Sequence, residues 1–112
     1  MSARVVIALS AEAQIDRHQA WWREHRAGSP WLFAESFALA LGQLESAPEC
    51  GTPYTDPRVA NVRRLPIAQT GHALYYVHDS PRVGGAAPSS GVVTILAITG
   101  PGRGRPPRLA RR

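Results

Sequence analysis

The chain of 112 residues contains one cysteine, Cys50, and no lysine. A single cysteine excludes an intramolecular disulfide framework and a cysteine-based zinc site, and it favours a reducing, cytoplasmic location. Without lysine, no ammonium group can act as a general base or Schiff-base amine, so any contact to phosphate falls to arginine. No apolar run approaches the roughly 20 residues that span a bilayer, so we expect no membrane partner.

The charged residues are unevenly distributed along the chain. Residues 1–57 carry four arginines and seven acids, whereas residues 58–112 carry nine arginines and one acid, Asp79. This asymmetry indicates a polyanionic or acidic partner for the C-terminal half. A solvated basic face is the simpler alternative.

The hydrophobic pattern of the N-terminal half predicts a strand and two helices. Residues 4–9 are a β-branched run, and residues 11–26 follow as a helix with Ser10 as its N-cap. Ser29 and Pro30 are typical of the start of a second helix, which Pro48 ends, so the two helices form a hairpin. The second helix has a clear apolar stripe, made of Phe33, Phe37, Ala40, Leu41 and Leu44.

The C-terminal half predicts strands and a tail. The strand-like segments are residues 61–67, 72–78 and 92–98, and residues 47–58 and 80–91 have the composition of loops. Residues 99–112 are rich in Arg, Gly and Pro, so we expect a flexible basic tail that adds nothing to a core. The order β-α-α-β-β-β predicts an α+β domain over residues 1–98, with a helical hairpin packed on a small antiparallel sheet.

Several short motifs occur in order along nearly the whole chain: Trp21-Trp22-Arg23-Glu24-His25-Arg26, Trp31-Leu32-Phe33, Gly51-Thr52-Pro53-Tyr54, Val62-Arg63-Arg64-Leu65, Leu74-Tyr75-Tyr76-Val77, Val93 to Ile98 and Arg103-Gly104-Arg105. Together they resemble the RelE/ParE family, the toxins of bacterial type II toxin–antitoxin (plasmid-stabilisation) systems. The resemblance implies a toxin that a cognate antitoxin neutralises. The chain departs from many members of that family at Thr99-Gly100, where they carry an aromatic residue and a histidine.

The resemblance implies two alternative activities, ribosome-dependent cleavage of mRNA or inhibition of DNA gyrase. Cleavage needs a base for the ribose 2′-OH, cations for the phosphate and an acid for the leaving oxygen. The candidates for such a nuclease are Arg63, Arg64, Tyr76 and Arg103, with Tyr75 as an alternative to Tyr76 and with Arg105 as a further phosphate ligand. His72 and His78 are the remaining options for a base, and a surface role is the simpler reading of both.

Strand alternation separates the two neighbouring arginines. Arg63 shares a face with Leu65 and Ile67, so it lies at the end of the core face, whereas Arg64 points outward. The simpler alternative for Arg63 is an ion pair with a Glu or Asp of the helical hairpin, and for Arg64 solvation alone.

Because a base is scarce, the ParE-like branch is favoured: a toxin that arrests growth through DNA gyrase and is not itself an enzyme. The expected contacts to target or antitoxin are Arg63, Arg64, Tyr76, Arg103, Arg105 and Trp21. No cofactor, metal or small-molecule ligand is expected, since no third ligand joins His18 and His25. The alternatives are a ribosome-dependent endoribonuclease, and a non-toxic relative that binds only an antitoxin or nucleic acid.

Overall fold

A computed structural model describes residues 2–80, 91–102 and 105–111 of the chain. Its elements are β1 (Arg4–Ile7), α1 (Leu9–His25), α2 (Leu32–Ser46), β2 (Thr52–Tyr54), β3 (Val62–Pro66), β4 (Ala73–Asp79) and β5 (Val92–Thr99). The α+β class and the helical hairpin on a sheet are as predicted. No helix in the described part of the chain is long and apolar enough to cross a membrane.

The sheet is mixed, where the sequence predicted an antiparallel one. The five strands lie in the order β1-β5-β4-β3-β2, and β1 pairs with β5 in parallel while every other pair is antiparallel. The reason is topological: β1 and β5 lie far apart in the chain, and a parallel pair requires a long connection rather than a hairpin. Strand-like composition does not reveal which distant strand is the neighbour.

The strand β2 lies inside residues 47–58, which were predicted to be a loop. It has three residues, pairs with β3 through Thr52↔Arg64 and Tyr54↔Val62, and has Pro53 at its centre. Proline cannot donate to a ladder and is confined to edge strands, which is where β2 lies. Such a short segment carries no alternation by which the sequence could reveal it.

Both helices begin without the side-chain caps that the sequence suggested. Ala8 is the N-cap of α1, and Ser10 lies exposed inside the first turn, because the helix follows directly on β1. Ser29 belongs to the turn between the helices, where its carbonyl oxygen accepts hydrogen bonds from the Leu32 amide (3.1 Å) and the Trp22 indole (2.8 Å). The second helix was predicted to start at Ser29 and Pro30, but it starts at Leu32, and the buried indole holds the turn in which these two residues lie.

The helices cover one face of the sheet, which we call the helix face. The predicted stripe of α2 is there: Phe33, Ala40 and Leu44 are buried, and Phe37 and Leu41 are half-buried against the same core. The sheet and Ile67, which follows β3, contribute a set of buried side chains to this core; those of the sheet are Leu65, Leu74, Tyr76, Val93, Ile95 and Ile98.

The opposite face of the sheet, which we call the tail face, has its own buried cluster of Val62, Ala73, Tyr75, Val77, Leu96 and Ala97. Residues Leu109 and Ala110 pack against this cluster, and the Ala110 amide donates to the Leu96 carbonyl oxygen over 3.0 Å. The prediction that residues 99–112 add nothing to a core is therefore wrong for Leu109 and Ala110. Leu109 and Ala110 pack there although arginines flank them in the sequence, because the sheet offers both an open edge and an apolar surface.

Candidate functional site

Arg63 lies at the start of β3 on the helix face and is anchored to the loop before β2. Its Nη1 donates to the carbonyl oxygens of Gly51 (2.7 Å) and Glu49 (3.2 Å), and its Nη2 lies 3.7 Å from Glu49 Oε1. The arginine is thus ion-paired, as its simpler alternative has it, but its partner lies in the loop after α2 and not in the helical hairpin. Sequence reasoning missed Glu49, because nothing in a loop composition distinguishes this carboxylate from the other acids.

Glu49 also contacts His78 at the end of β4. The Nδ1 of His78 lies 3.1 Å from Glu49 Oε2, and the imidazole side chain is 8% exposed where the carboxylate is 60% exposed. Glu49, Arg63 and His78 therefore form one cluster, named here the Glu49 cluster. It unites a carboxylate, a cation and an imidazole, which are the groups that general acid–base chemistry on a phosphodiester requires.

Tyr76 is closed to partners in this structure. Its side chain is fully buried on the helix face, and its hydroxyl oxygen accepts a hydrogen bond of 2.9 Å from the Gly51 amide. Burial raises the pKa of Tyr76. The interpretation of Tyr76 as a surface contact therefore needs correction: its neutral phenol holds the loop that carries Glu49, and the helices cover the face of β4 on which it lies.

Arg64 lies on the tail face, as the alternation of β3 predicted. Its Nε donates to the Tyr75 hydroxyl over 3.3 Å, and the Thr99 hydroxyl lies 3.5 Å from the same oxygen. The ring of Tyr54 packs edge-on against Tyr75, with 4.9 Å between centroids. The Arg64 side chain is therefore held on the tail face by its hydrogen bond to Tyr75, so it is not merely solvated.

The described part of the tail packs Leu109 and Ala110 on the tail face and carries exposed arginines. Arg105, Arg108 and Arg111 are exposed. The tail is anchored by Gln14 of α1, whose amide nitrogen donates to the Arg108 carbonyl (3.0 Å) and whose oxygen accepts from the Ile98 amide (3.1 Å). Arg103, another predicted contact, lies outside the described residues.

Trp21 is separate from these groups, on the outer side of α1. It is 41% exposed, and its ring stacks on that of His25 at 4.4 Å. Trp31 is more exposed still, at 58%, whereas Trp22 is buried in the core. The structure therefore leaves Trp21 accessible to a partner but does not bring it together with the predicted arginines.

His72 is excluded as a base that solvent or substrate reaches. It is 1% exposed, between the rings of His18 (4.9 Å) and Phe33 (4.7 Å), and neither ring nitrogen has a hydrogen-bond partner among the described residues. Burial, with His18 as a lesser cause, lowers the pKa of His72 to about 4. His78 is thus the histidine of the pair that lies in a polar cluster.

No family model matches the chain, and neither does any curated protein. Within the described residues, no group of three or more His, Cys, Asp and Glu side chains is arranged to hold a metal ion. The function therefore has to be inferred from two features of the chain itself. They are the Glu49 cluster at one end of the sheet and the tail face, which carries Arg64.

Proposed function

We propose that the chain is the toxin of a bacterial type II toxin–antitoxin pair, of the ParE-like branch. It acts in the cytoplasm, arrests growth by inhibiting DNA gyrase and is neutralised by a cognate antitoxin. The proposal rests first on the ordered motifs that resemble the RelE/ParE family. The α+β fold of the structure, with a helical hairpin on a sheet, agrees with this proposal.

The observation that carries the choice of gyrase inhibition over mRNA cleavage is the burial of residues that were candidates for catalysis. Tyr76 and His72 are buried, and the chain has no lysine. The exposed Arg105, Arg108 and Arg111 lie on a segment that is anchored to the sheet. A toxin that works by binding needs such a fixed cationic surface and no hydrolytic site.

The decisive experiment is induction of the chain alone in a bacterial host, scoring viability together with DNA breaks and mRNA integrity. We expect arrest with gyrase-dependent breaks and intact mRNA. The variant R103A/R105A should abolish arrest, and R17A/R23A, which removes the same charge from α1, should not. Full toxicity of R103A/R105A, with an unchanged circular dichroism spectrum, would contradict the role of the tail.

The Glu49 cluster favours a second candidate function, ribosome-dependent cleavage of mRNA. The carboxylate and the imidazole lie in contact beside a guanidinium, and the carboxylate is exposed. This alternative expects transcripts that are cut on ribosomes, and loss of cutting in H78Q with toxicity lost as well. Arrest with intact transcripts rules against it, and absence of any arrest leaves a non-toxic binding protein.

A further inference from the structure

A groove lies between α1 and α2, with the edge strand β1 along its floor. It has a volume of about 600 Å³ and is lined by apolar side chains that include Val5, Ile7, Ile15 and Phe37. We call it the hairpin groove. Its volume is in the range of ligand sites, but it is open to solvent, which suits a chain segment better than an enclosed small molecule.

The floor of the hairpin groove offers backbone hydrogen-bonding groups. The Arg4 amide donates to the carbonyl oxygen of Gly91, just before β5, and the Ala8 amide donates to that of Ile95 in β5. Since alternate residues of a parallel strand face the same neighbour, the N–H and C=O groups of Val5 and Ile7 face away from β5. The Ala3 amide, on the same outer edge, donates to the Glu45 carbonyl at the end of α2. The outer edge of β1 is thus hydrogen-bonded to α2 at Ala3, and its next part, at Val5 and Ile7, runs along the hairpin groove.

The wall of the groove on α1 is acidic. Glu12 and Asp16 lie one turn apart, both are exposed, and no arginine is among the described residues that line the groove. This is the reverse of the arginine-bearing tail face, although the whole chain has a net charge of +5. An acidic segment is repelled here, and a cation beside an apolar anchor is attracted.

We propose that the hairpin groove binds an extended protein segment that combines apolar residues with a lysine or arginine and adds as a strand to the outer edge of β1. Its backbone pairs with Val5 and Ile7, its apolar side chains contact Phe37, and its cation lies at Glu12 and Asp16. Main-chain pairing supplies affinity and the side-chain pockets supply specificity. The proposal does not depend on the toxin function, and it differs from the acidic partner expected for the C-terminal half.

The test is selection of a displayed library of random 16-residue peptides on the purified chain. We expect enriched peptides to share apolar positions and a lysine or arginine. On E12K/D16K they should lose about tenfold in affinity or more, since two exposed ion pairs become repulsive. The control E24K/E35K makes the same change of charge on exposed acids outside the groove lining and should leave their affinity within twofold.

A second selection on E12K/D16K itself should enrich acidic peptides instead. Because Glu12 and Asp16 are exposed, this variant is expected to fold, which its thermal melt verifies. Enriched peptides that ignore the charge reversal, an enriched set that is acidic on the native chain, or no enrichment at all would each overturn the proposal. Binding to the native chain is measured directly, so a failure here is distinct from a failure of the toxin function.

Discussion

Replacing His72 with leucine should remove much of the acid sensitivity of this fold. His72 is buried among His18, Trp22 and Phe33, with both ring nitrogens unpartnered among the described residues. Desolvation, with the electrostatic influence of His18 as a smaller cause, lowers its pKa from 6.5 to about 4. The folded protein therefore holds the ring neutral at a pH where the unfolded chain protonates it.

The sign and the pH window follow from these two pKa values. Between pH 6.5 and 4 the unfolded chain binds a proton at His72 that the folded chain does not bind, so the free energy of unfolding falls as the pH falls. At about 1.4 kcal/mol per pH unit, the loss attributable to His72 is about 3 kcal/mol by pH 4. Stability from this source is complete above pH 6.5.

The assay is urea denaturation followed by tryptophan fluorescence at pH 7.5, 5.5 and 4.0, on the native chain and on His72→Leu. We expect the native chain to lose about 3 kcal/mol more than the variant over this range. His18, whose pKa is lowered by burial and by Arg17, remains in the variant and keeps a smaller dependence of the same sign. Carboxylates titrate in both proteins and cancel in the difference.

The matched control is Ile98→Val, which shortens a buried core residue and adds no titratable group. It should cost about 1 kcal/mol at every pH, so it separates lower stability from altered pH dependence. If the native chain and His72→Leu lose the same free energy between pH 7.5 and 4.0, the reasoning about His72 is refuted.

The remaining predictions concern two sets of contacts: the one between Gly51 and Tyr76, which holds the loop before β2, and those of Gln14, which hold the tail. Gly51→Ala places a Cβ 2.8 Å from both the Arg64 carbonyl and the Tyr76 hydroxyl, so it should cost about 1 to 3 kcal/mol in urea denaturation, and an unchanged midpoint would contradict this packing. Tyr76→Phe leaves the Gly51 amide without its acceptor and should cost about 1 to 3 kcal/mol by the same assay, whereas a neutral change would mean that water replaces the phenol. Gln14→Ala removes the acceptor of the Ile98 amide and the donor to Arg108. Hydrogen exchange at Ile98 should accelerate at least tenfold, and unchanged protection would contradict the anchoring of the tail.

The parts of the fold that sequence predicted are those that depend on local periodicity. The stripe of Phe33, Phe37 and Leu44 positioned α2 correctly, because an apolar period near 3.6 is a strong signal over four turns. Alternation along β3 likewise separated Arg63 on the helix face from Arg64 on the tail face, as the structure has them.

The parts that sequence missed depend on partners distant in the chain. Glu49 meets His78 across 29 positions, and Gln14 meets Arg108 across 94. Neither contact has a local signature. The same holds for the burial of Tyr76: β4 is covered on both faces, by the helices on the side of Tyr76 and by the tail-face cluster on the side of Tyr75, and both coverings come from distant parts of the chain.

The parallel pairing of β1 with β5 has a consequence for the order of folding. Arg4 pairs with Val92, 88 positions away, whereas the turn between β3 and β4 closes over only seven positions, from Pro66 to Ala73. Closing the longer loop costs about 2 kcal/mol more in chain entropy. During synthesis β1 has no strand to pair with until β5 has emerged, so the edge strand that floors the hairpin groove is completed last. Substitutions in β1 should therefore speed unfolding while leaving the folding rate nearly unchanged.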